Sequence, residues 1–335
     1  MSNGAGRNRF QHMVILCAVM VASLIVLGGA PLAATEFPTK PINIIVNYGP
    51  GGGTDLPARA LSSVIHKYLG QPFIVTNKPG GGAQIGSSFV AKAKPDGYTL
   101  LLTYGGLEQT FAPHLRKLPY DPLNDFIPIT TISIYDCVLD VRADAPWKNL
   151  KELIEDAKKK PGKIRFGRSG TFGTNHLQSL LFKRETGIPM KINLPFEGGT
   201  KTITGLLGGH IDVAFLGQPF SMQHYLAGKI RMLGLSAEKR NKFLPDVPTY
   251  REAGYDIVLG NVKGIAAPKG TPMEIVNKLH DAIIKATKDK AFKKMMNNFY
   301  QPVVTMERKE FAAFVRKQYD RWGRFVKEMG LKVKK

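Results

Sequence analysis

The chain has 335 residues, 43% of them hydrophobic and 22% charged, and its formal net charge is +21. This composition excludes a disordered or fibrous protein, and the length leaves room for two domains. The excess of Lys and Arg directs attention to anionic partners, either polyanions or small acids.

Residues 1–34 predict an export signal. Arg7 and Arg9 give a positive start, residues 13–29 form a continuous apolar run, and small residues follow. This order is typical of a secretory signal peptide that is cleaved. The rival interpretation is a retained anchor helix, because the apolar run is slightly longer than that of a usual signal.

Strand-like and helix-like segments then alternate. In the first series, apolar runs at residues 42–48, 71–77 and 98–104 are separated by helical patterns that end at Gly70 and Pro95. The order strand, helix, strand predicts parallel pairing with helices on both faces of the sheet.

A second series begins after residue 140 and repeats this alternation. Strands are predicted at residues 163–169, 190–196 and 210–217, and again at 231–237 and 257–267. Long amphipathic helices end the chain. The fold class is therefore predicted as α/β.

Two α/β series without a low-complexity linker predict two lobes joined by crossing strands. The crossings are expected near residues 135–142 and 257–265, so the first lobe is discontinuous. Residues 35–139 and 261–335 then form lobe 1, and residues 140–260 form lobe 2.

The sequence Pro-Gly-Gly-Gly occurs twice, at residues 50–53 and 79–82, each time between a predicted strand and a predicted helix. Both loops thus lie at carboxyl ends of strands, where open α/β sheets usually bind ligands. Glycine lets several N–H groups approach one point, and the following helix adds its positive amino end. The pair predicts a main-chain cradle for a carboxylate; two tight turns without a ligand are the plain alternative.

Other chemistry has less support in the sequence. Neither glycine loop has the Lys of a nucleotide-binding P-loop. Thr54 and Asp55 either cap the next helix or hydrogen-bond a ligand. Ser169, His176 and Asp212 invite comparison with a hydrolase triad, but Ser169 lies in GRSG rather than GxSxG,. With no HExxH and no cysteine pair, neither a metal nor a cofactor is expected.

Several segments together resemble the solute-binding proteins of tripartite tricarboxylate transporters, the Bug family. The segments are residues 37–61, 69–86, 90–104, 163–182, 194–215, 244–256 and 267–280. The resemblance implies a two-lobed, Venus-flytrap binding protein in which each lobe is a mostly parallel sheet flanked by helices. It also implies a periplasmic, non-catalytic receptor that hands a di- or tricarboxylate, or a related organic acid, to a membrane permease.

The resemblance further implies which residues hold the acid. Two jaw loops, residues 49–55 and 79–84, would grip one carboxylate, and the second lobe would add hydroxyl and amide groups. By position, the ligand-binding residues are Tyr48, Gly51, Gly52, Gly53, Thr54, Asp55, Gly81, Gly82, Ala83, Gln84, Ser169, Thr171, Thr174 and Gln218. The protein is expected to be a monomer. No nucleic-acid partner is expected, because no motif that reads RNA or DNA accompanies the positive charge.

Three positions depart from the family pattern. Ala83 closes the second jaw, Glu197 stands where a Lys is common, and Phe172 occupies a position that is usually small or polar. Phe172 together with Phe196 favours an apolar or aromatic acid. Two other functions share this sequence evidence: a ligand-binding sensor for a two-component signalling system, and an exported hydrolase, which the missing GxSxG disfavours.

Overall fold

The computed structural model describes residues 36–331, so the predicted signal segment lies outside the described residues. Residues 36–39 form no helix or strand, and the remainder is built on one mixed sheet. Within the described residues the strands are β1 (Ile42–Val46), β2 (Phe73–Asn77), β3 (Thr99–Tyr104), β4 (Phe126–Arg142), β5 (Arg165–Ser169), β6 (Ile192–Phe196), β7 (Val213–Gly217), β8 (Ile230–Leu235) and β9 (Gly260–Pro268). The helices are α1 (Asp55–Leu69), α2 (Gln84–Ala91), α3 (Leu107–Thr110), α4 (Leu150–Lys159), α5 (Thr174–Thr186), α6 (Gly199–Leu207), α7 (Gln218–Leu226), α8 (Met273–Lys288), α9 (Lys290–Asn298) and α10 (Arg308–Glu328), with a 3₁₀ turn at Ala112–His114.

Strands β1 to β3 and strands β5 to β7 are arranged in the same way. β1 lies between β2 and β3, β5 lies between β6 and β7, and all four pairings are parallel. One helix connects each successive pair, as the alternation in the sequence predicted,. Equivalent loops therefore lie at the carboxyl ends of equivalent strands in the two groups.

The long strand β4 connects the two groups. Its first half pairs antiparallel with β9, which pairs antiparallel with β3. Its second half pairs antiparallel with β7 and β8. The α/β class is confirmed, and the sheet as a whole is mixed because the connecting strands oppose the parallel ones.

Strand β1 and helix α1 form where the sequence pattern predicts them. Ile42, Ile44 and Ile45 of β1 expose 2% of their surface or less, as expected for a strand covered on both faces. Helix α1 ends where Gly70 adopts a left-handed conformation with φ 82° and its N–H bonds to the carbonyl oxygen of His66,.

The last helix, α10, packs against both groups of strands. Near its start, Phe311 belongs to a hydrophobic cluster with Tyr104 of β3. Near its end, Phe325 lies 4.9 Å from the guanidinium of Arg184 on α5, and Glu328 is 3.8 Å from the same group. Helix α10 thus joins the two groups of strands, and the loops at the carboxyl ends of the strands remain available to form a site.

Candidate functional site

A cavity of about 330 Å³ lies where loops from both groups of strands meet. The segments after β1, β2 and β3 contribute Thr54, Gly82 and Glu108 respectively, and those after β5 and β7 contribute Thr171 and Phe220. This is the edge of an open α/β sheet at which ligands bind. The repeated topology therefore brings strand ends from distant parts of the sequence to one small space.

The first glycine loop presents backbone donors at this cavity. Gly52, Gly53 and Thr54 line it, and within residues 36–331 no hydrogen bond uses their N–H groups. The carbonyl oxygen of Gly53 accepts a bond of 3.0 Å from Gln301, and that of Gly52 accepts from the Leu56 N–H. With its carbonyl oxygens paired elsewhere, the loop offers N–H groups at the amino end of α1.

Asp55 anchors this loop and is not among the residues that line the cavity. Its carboxylate accepts from the Gly51 N–H at 2.9 Å, from Arg59 at 2.7 Å and from Asn77 at 2.9 Å. Burial alone would raise the pKa of Asp55, but these hydrogen bonds outweigh it and hold the pKa below its ordinary value,. Asp55 thus orders the loop from behind.

The second glycine loop has an unusual backbone. Gly80, Gly81, Gly82 and Ala83 all have positive φ, at 119°, 57°, 60° and 71°, which glycine adopts readily and alanine does not. Arg116 donates to the carbonyl oxygens of Gly81 and Gly82, at 2.8 Å each. Because these oxygens are drawn to one guanidinium, Arg116 sets the direction in which the loop presents its peptide groups.

The loop after β5 faces the glycine loops across the cavity. Ser169, Thr171 and Thr174 line it and supply hydroxyl groups. Between them Phe172 has φ 66°, and its N–H donates to Nδ1 of His176 at 3.2 Å. The Phe172 ring lies at the cavity wall, 4.9 Å from the guanidinium of Arg116 and 6.1 Å from the ring centre of His176.

A cluster of polar and aromatic side chains joins the predicted Tyr48 to residues that the sequence did not predict. Glu108 accepts a hydrogen bond from the hydroxyl of Tyr48, and burial together with Glu108 holds the pKa of Tyr48 well above its ordinary value. Behind them Lys263 is fully buried, donates to Asn261 and lies 5.0 Å from the ring centre of Tyr135. Burial lowers the pKa of Lys263 to about 8, although the Glu108 carboxylate acts in the opposite direction.

The structure places some of the predicted site residues in the cavity wall and others outside it. Those that line the cavity are Tyr48, Gly52, Gly53, Thr54, Gly82, Ser169, Thr171 and Thr174. Those that are not part of the wall are Gly51, Asp55, Gly81, Ala83, Gln84 and Gln218. The wall residues that the sequence did not predict as binding residues include Glu108, Tyr135, Asn175, Phe220 and Asn261.

The predicted residues outside the wall support the loops that form it. Ala83 is the N-cap of α2 with 2% of its surface exposed. Gln84 begins that helix and donates to the carbonyl oxygen of Lys117 at 3.4 Å. Gln218 is fully buried and accepts from Asn241 at 2.8 Å. Their positions along the chain are close to the site, but their side chains are used within the protein.

The hydrogen bonds found for two of the suspected hydrolase residues lead to other residues. Nδ1 of His176 accepts the Phe172 N–H, and the carboxylate of Asp212 is bound to Arg165 with a contact of 2.6 Å. Asp212 precedes β7, at the end of the strand opposite the cavity. A triad needs the base to contact both nucleophile and acid, so these contacts give no support to a hydrolase.

A small cavity between the strand ends of two similar α/β groups is typical of one class of proteins, the periplasmic solute-binding proteins. The chain belongs to the family described as the tripartite tricarboxylate transporter family receptor, which matches residues 57–331. Protein BugT of Bordetella pertussis is 31% identical over 326 residues, which cover 96% of this chain and 100% of BugT. The resemblance to the Bug family is thereby confirmed.

Solved structures give the same answer. Periplasmic binding protein BugD is 32% identical with a TM-score of 0.80, covering 89% of this chain and 100% of BugD. MatC of Rhodopseudomonas palustris with bound malate is 27% identical with a TM-score of 0.77, over 87% of this chain and 100% of MatC. R. palustris Rpa4515 with adipate is 26% identical with a TM-score of 0.81, over 89% of this chain and 100% of Rpa4515.

Between residues 36 and 331, no helix is both long and apolar enough to cross a membrane. In the same part of the chain, no three His, Cys, Asp or Glu side chains are grouped so as to hold a metal ion.

Proposed function

We propose that this protein is an extracytoplasmic solute-binding protein that captures a small organic acid, a di- or tricarboxylate or a related carboxylate. The observation that carries the proposal is the set of N–H groups of Gly52, Gly53 and Thr54, which have no partner within residues 36–331 and line the cavity at the amino end of α1. Such groups bind carboxylates well, because each N–H bond to a charged oxygen contributes about 1.5–3 kcal/mol.

The relatives support an acid as the ligand. Malate and adipate, the acids named with two of the similar structures, are both dicarboxylates. A cavity of about 330 Å³ suits a ligand of this size,. In this proposal the acid is passed to the permease of a tripartite tricarboxylate transporter, the partner that the family description implies.

The proposed protein acts in the periplasm as a monomer with two lobes. Residues 1–34 direct its export, residues 35–139 and 261–335 form lobe 1, and residues 140–260 form lobe 2. The strand β4, which pairs with β7 of one group and reaches the other through β9 and β3, is the natural hinge on which such lobes close around a ligand.

Calorimetric titration with malate, succinate, adipate, citrate and benzoate tests ligand capture, with the amide of each acid as its control. We expect at least one acid to bind and its amide to bind far more weakly, because only the acid carries the charge that the N–H groups favour. Equal binding of an acid and its amide, or no binding by any acid, contradicts the proposal. If an acid binds but deleting the gene leaves its uptake unchanged, delivery to a permease is excluded.

A further inference from the structure

Glu108 places a negative charge in the wall of a cavity that is otherwise suited to anions. Its side chain lies in α3, directly after β3, and exposes only 6% of its surface. A buried carboxylate is unfavourable unless charges or donors compensate it. The Glu108 carboxylate therefore needs hydrogen-bond donors or positive charges around it, and the contacts within the protein supply only part of them.

The protein supplies one hydrogen bond to this carboxylate. Oε1 of Glu108 accepts from the hydroxyl of Tyr48, and within residues 36–331 no hydrogen bond reaches Oε2. An ionised carboxyl group has sites for about four hydrogen bonds. Glu108 thus retains acceptor capacity at the cavity wall.

The charges of two cations, Lys263 and Arg116, act on the Glu108 carboxylate, and neither residue is part of the cavity wall. Lys263 is 1% exposed and is not part of the cavity wall. Its ammonium donates to Asn261 and lies 6.0 Å from the ring centre of Tyr48 and 5.0 Å from that of Tyr135. Lys263 and Arg116, which donates to two carbonyl oxygens of the second glycine loop, offset the charge of Glu108 without donating a hydrogen bond to Oε2.

The second acidic residue of the wall differs from Glu108. The side chain of Glu197 is 87% exposed and is paired with Lys201 at 2.6 Å. Water and Lys201 screen the charge of Glu197, so this carboxylate does not require a hydrogen-bond donor from a ligand. The demand for a donor is therefore specific to Glu108.

We infer that the acid bound in this cavity carries, besides its carboxylate, a hydroxyl or ammonium group that donates a hydrogen bond to Glu108. The inference rests on the proposed function, since the backbone N–H groups hold the carboxylate of the same ligand. A second carboxylate beside Glu108 would bring two like charges together in a poorly hydrated space, which is unfavourable. The substrate class is thus the hydroxy acids and amino acids, rather than unsubstituted diacids.

Calorimetric titration of the full mature protein at neutral pH tests this with butyrate, succinate, the 2-, 3- and 4-hydroxybutyrates and the corresponding aminobutyrates. We expect at least one substituted acid to bind about tenfold more tightly than both butyrate and succinate, as one charge-assisted hydrogen bond allows. If a hydroxy acid binds most tightly, the donor to Glu108 is a neutral hydroxyl group. If an amino acid binds most tightly, the donor is an ammonium group that forms an ion pair. Either result supports the inference.

Two variants locate the preference. Glu108→Gln keeps the shape of the side chain and an oxygen that can accept from Tyr48, and it should reduce the preference about tenfold. Glu155→Gln removes an exposed carboxylate of α4 and should leave the preference as it is.

The inference is overturned if the wild-type protein binds butyrate or succinate as tightly as every substituted acid, a ranking that depends on no variant. It is also overturned if folded Glu108→Gln keeps the full preference. If none of these acids binds but malate, adipate, citrate or benzoate does, the inference alone is overturned; failure of all these acids to bind contradicts the proposed function as well.

Discussion

At the scale of single residues, three donors meet on one carboxylate behind the first glycine loop. The Gly51 N–H, Arg59 and Asn77 all bond to Asp55, which is 1% exposed. The order of the loop, and hence the direction of its N–H groups, depends on the charge of this side chain.

Asp55→Asn should lower the free energy of unfolding at pH 7 by about 1.5–3 kcal/mol, the contribution of a hydrogen bond to a charged group. Because the pKa of Asp55 is lowered in the folded protein, its contribution is complete above the pKa of the unfolded chain and is lost as the pH falls through the folded pKa. Urea unfolding at pH 7 and in acid should therefore show a difference between the two proteins that shrinks below about pH 4.

The control is Asp144→Asn. The side chain of Asp144 is 74% exposed, so this substitution should change the free energy of unfolding little. A difference between wild type and Asp55→Asn that stays constant down to pH 3 would contradict the role given to this charge.

Gly52 offers a direct test of the cavity at the same scale. A Cβ atom at this position would have no neighbour closer than 3.8 Å, so Gly52→Val should fold. Its branched side chain would occupy the space in front of the N–H groups, and we expect acid binding to fall at least a hundredfold, measured by calorimetry. Gly52→Ala should give a smaller loss, and wild-type affinity in the folded Val variant would show that the ligand lies elsewhere.

At the scale of elements, the second glycine loop depends on Arg116. The guanidinium bonds to two carbonyl oxygens of that loop and lies 4.9 Å from the ring centre of Phe172, on the loop after β5. One side chain thus connects loops that belong to different groups of strands.

Arg116→Met should weaken acid binding about tenfold, because four successive residues with positive φ lose the contact that holds them,. The melting temperature should change little, since Arg116 is only half-buried. The control is Arg324→Met, which likewise removes one positive charge, but from the exposed face of α10. If both variants bind the acid equally well, Arg116 has no role in positioning the loop.

The sequence predicted the elements whose pattern is local. The apolar β-branched runs of β1 to β3 and the glycine loops after them were identified because period and turn residues are visible within about ten positions. The connection of the two groups by β4 was expected only as a crossing near residues 135–142, and the strand proved longer, Phe126–Arg142.

The part of the site that the sequence missed lies on short or weakly patterned elements. Glu108 is on a helix of four residues, and Phe220 is on α7, where no helix was predicted. Long-range contacts place them: Tyr48 bonds to Glu108, and the Phe220 ring covers Gly199. Neither contact leaves a signal in the neighbouring sequence, so only the folded chain reveals them.

At the scale of the whole molecule, contacts across the cavity join the proposed lobes. Asn261 donates to the hydroxyl of Thr174 at 3.2 Å, and the Arg116 guanidinium lies over the Phe172 ring. Away from the cavity, Trp322 and Phe325 of α10 belong to one hydrophobic cluster with Phe166 of β5 and Phe215 of β7, and β4 connects the two groups through its pairing with β9 and β7. Motion of the lobes about these shared elements would open the contacts at the cavity while the cluster stays packed.

Small-angle X-ray scattering should therefore report closure. We expect the radius of gyration to decrease when a saturating acid is added to the wild-type protein, because the ligand stabilises the state with both sides of the cavity in contact. Gly52→Val, which cannot take the acid, should show no change. Identical scattering of the wild type with and without a bound acid would argue against hinge closure.

The central claim is that backbone N–H groups of the glycine loops hold the carboxylate of a small acid. A crystal structure of the protein with the acid that binds most tightly in calorimetry tests it most directly. The account predicts carboxylate oxygens about 2.7–3.1 Å from the backbone nitrogens of Gly52, Gly53 or Thr54. A ligand in the cavity whose carboxylate contacts none of these nitrogens, or one bound elsewhere on the molecule, would contradict it.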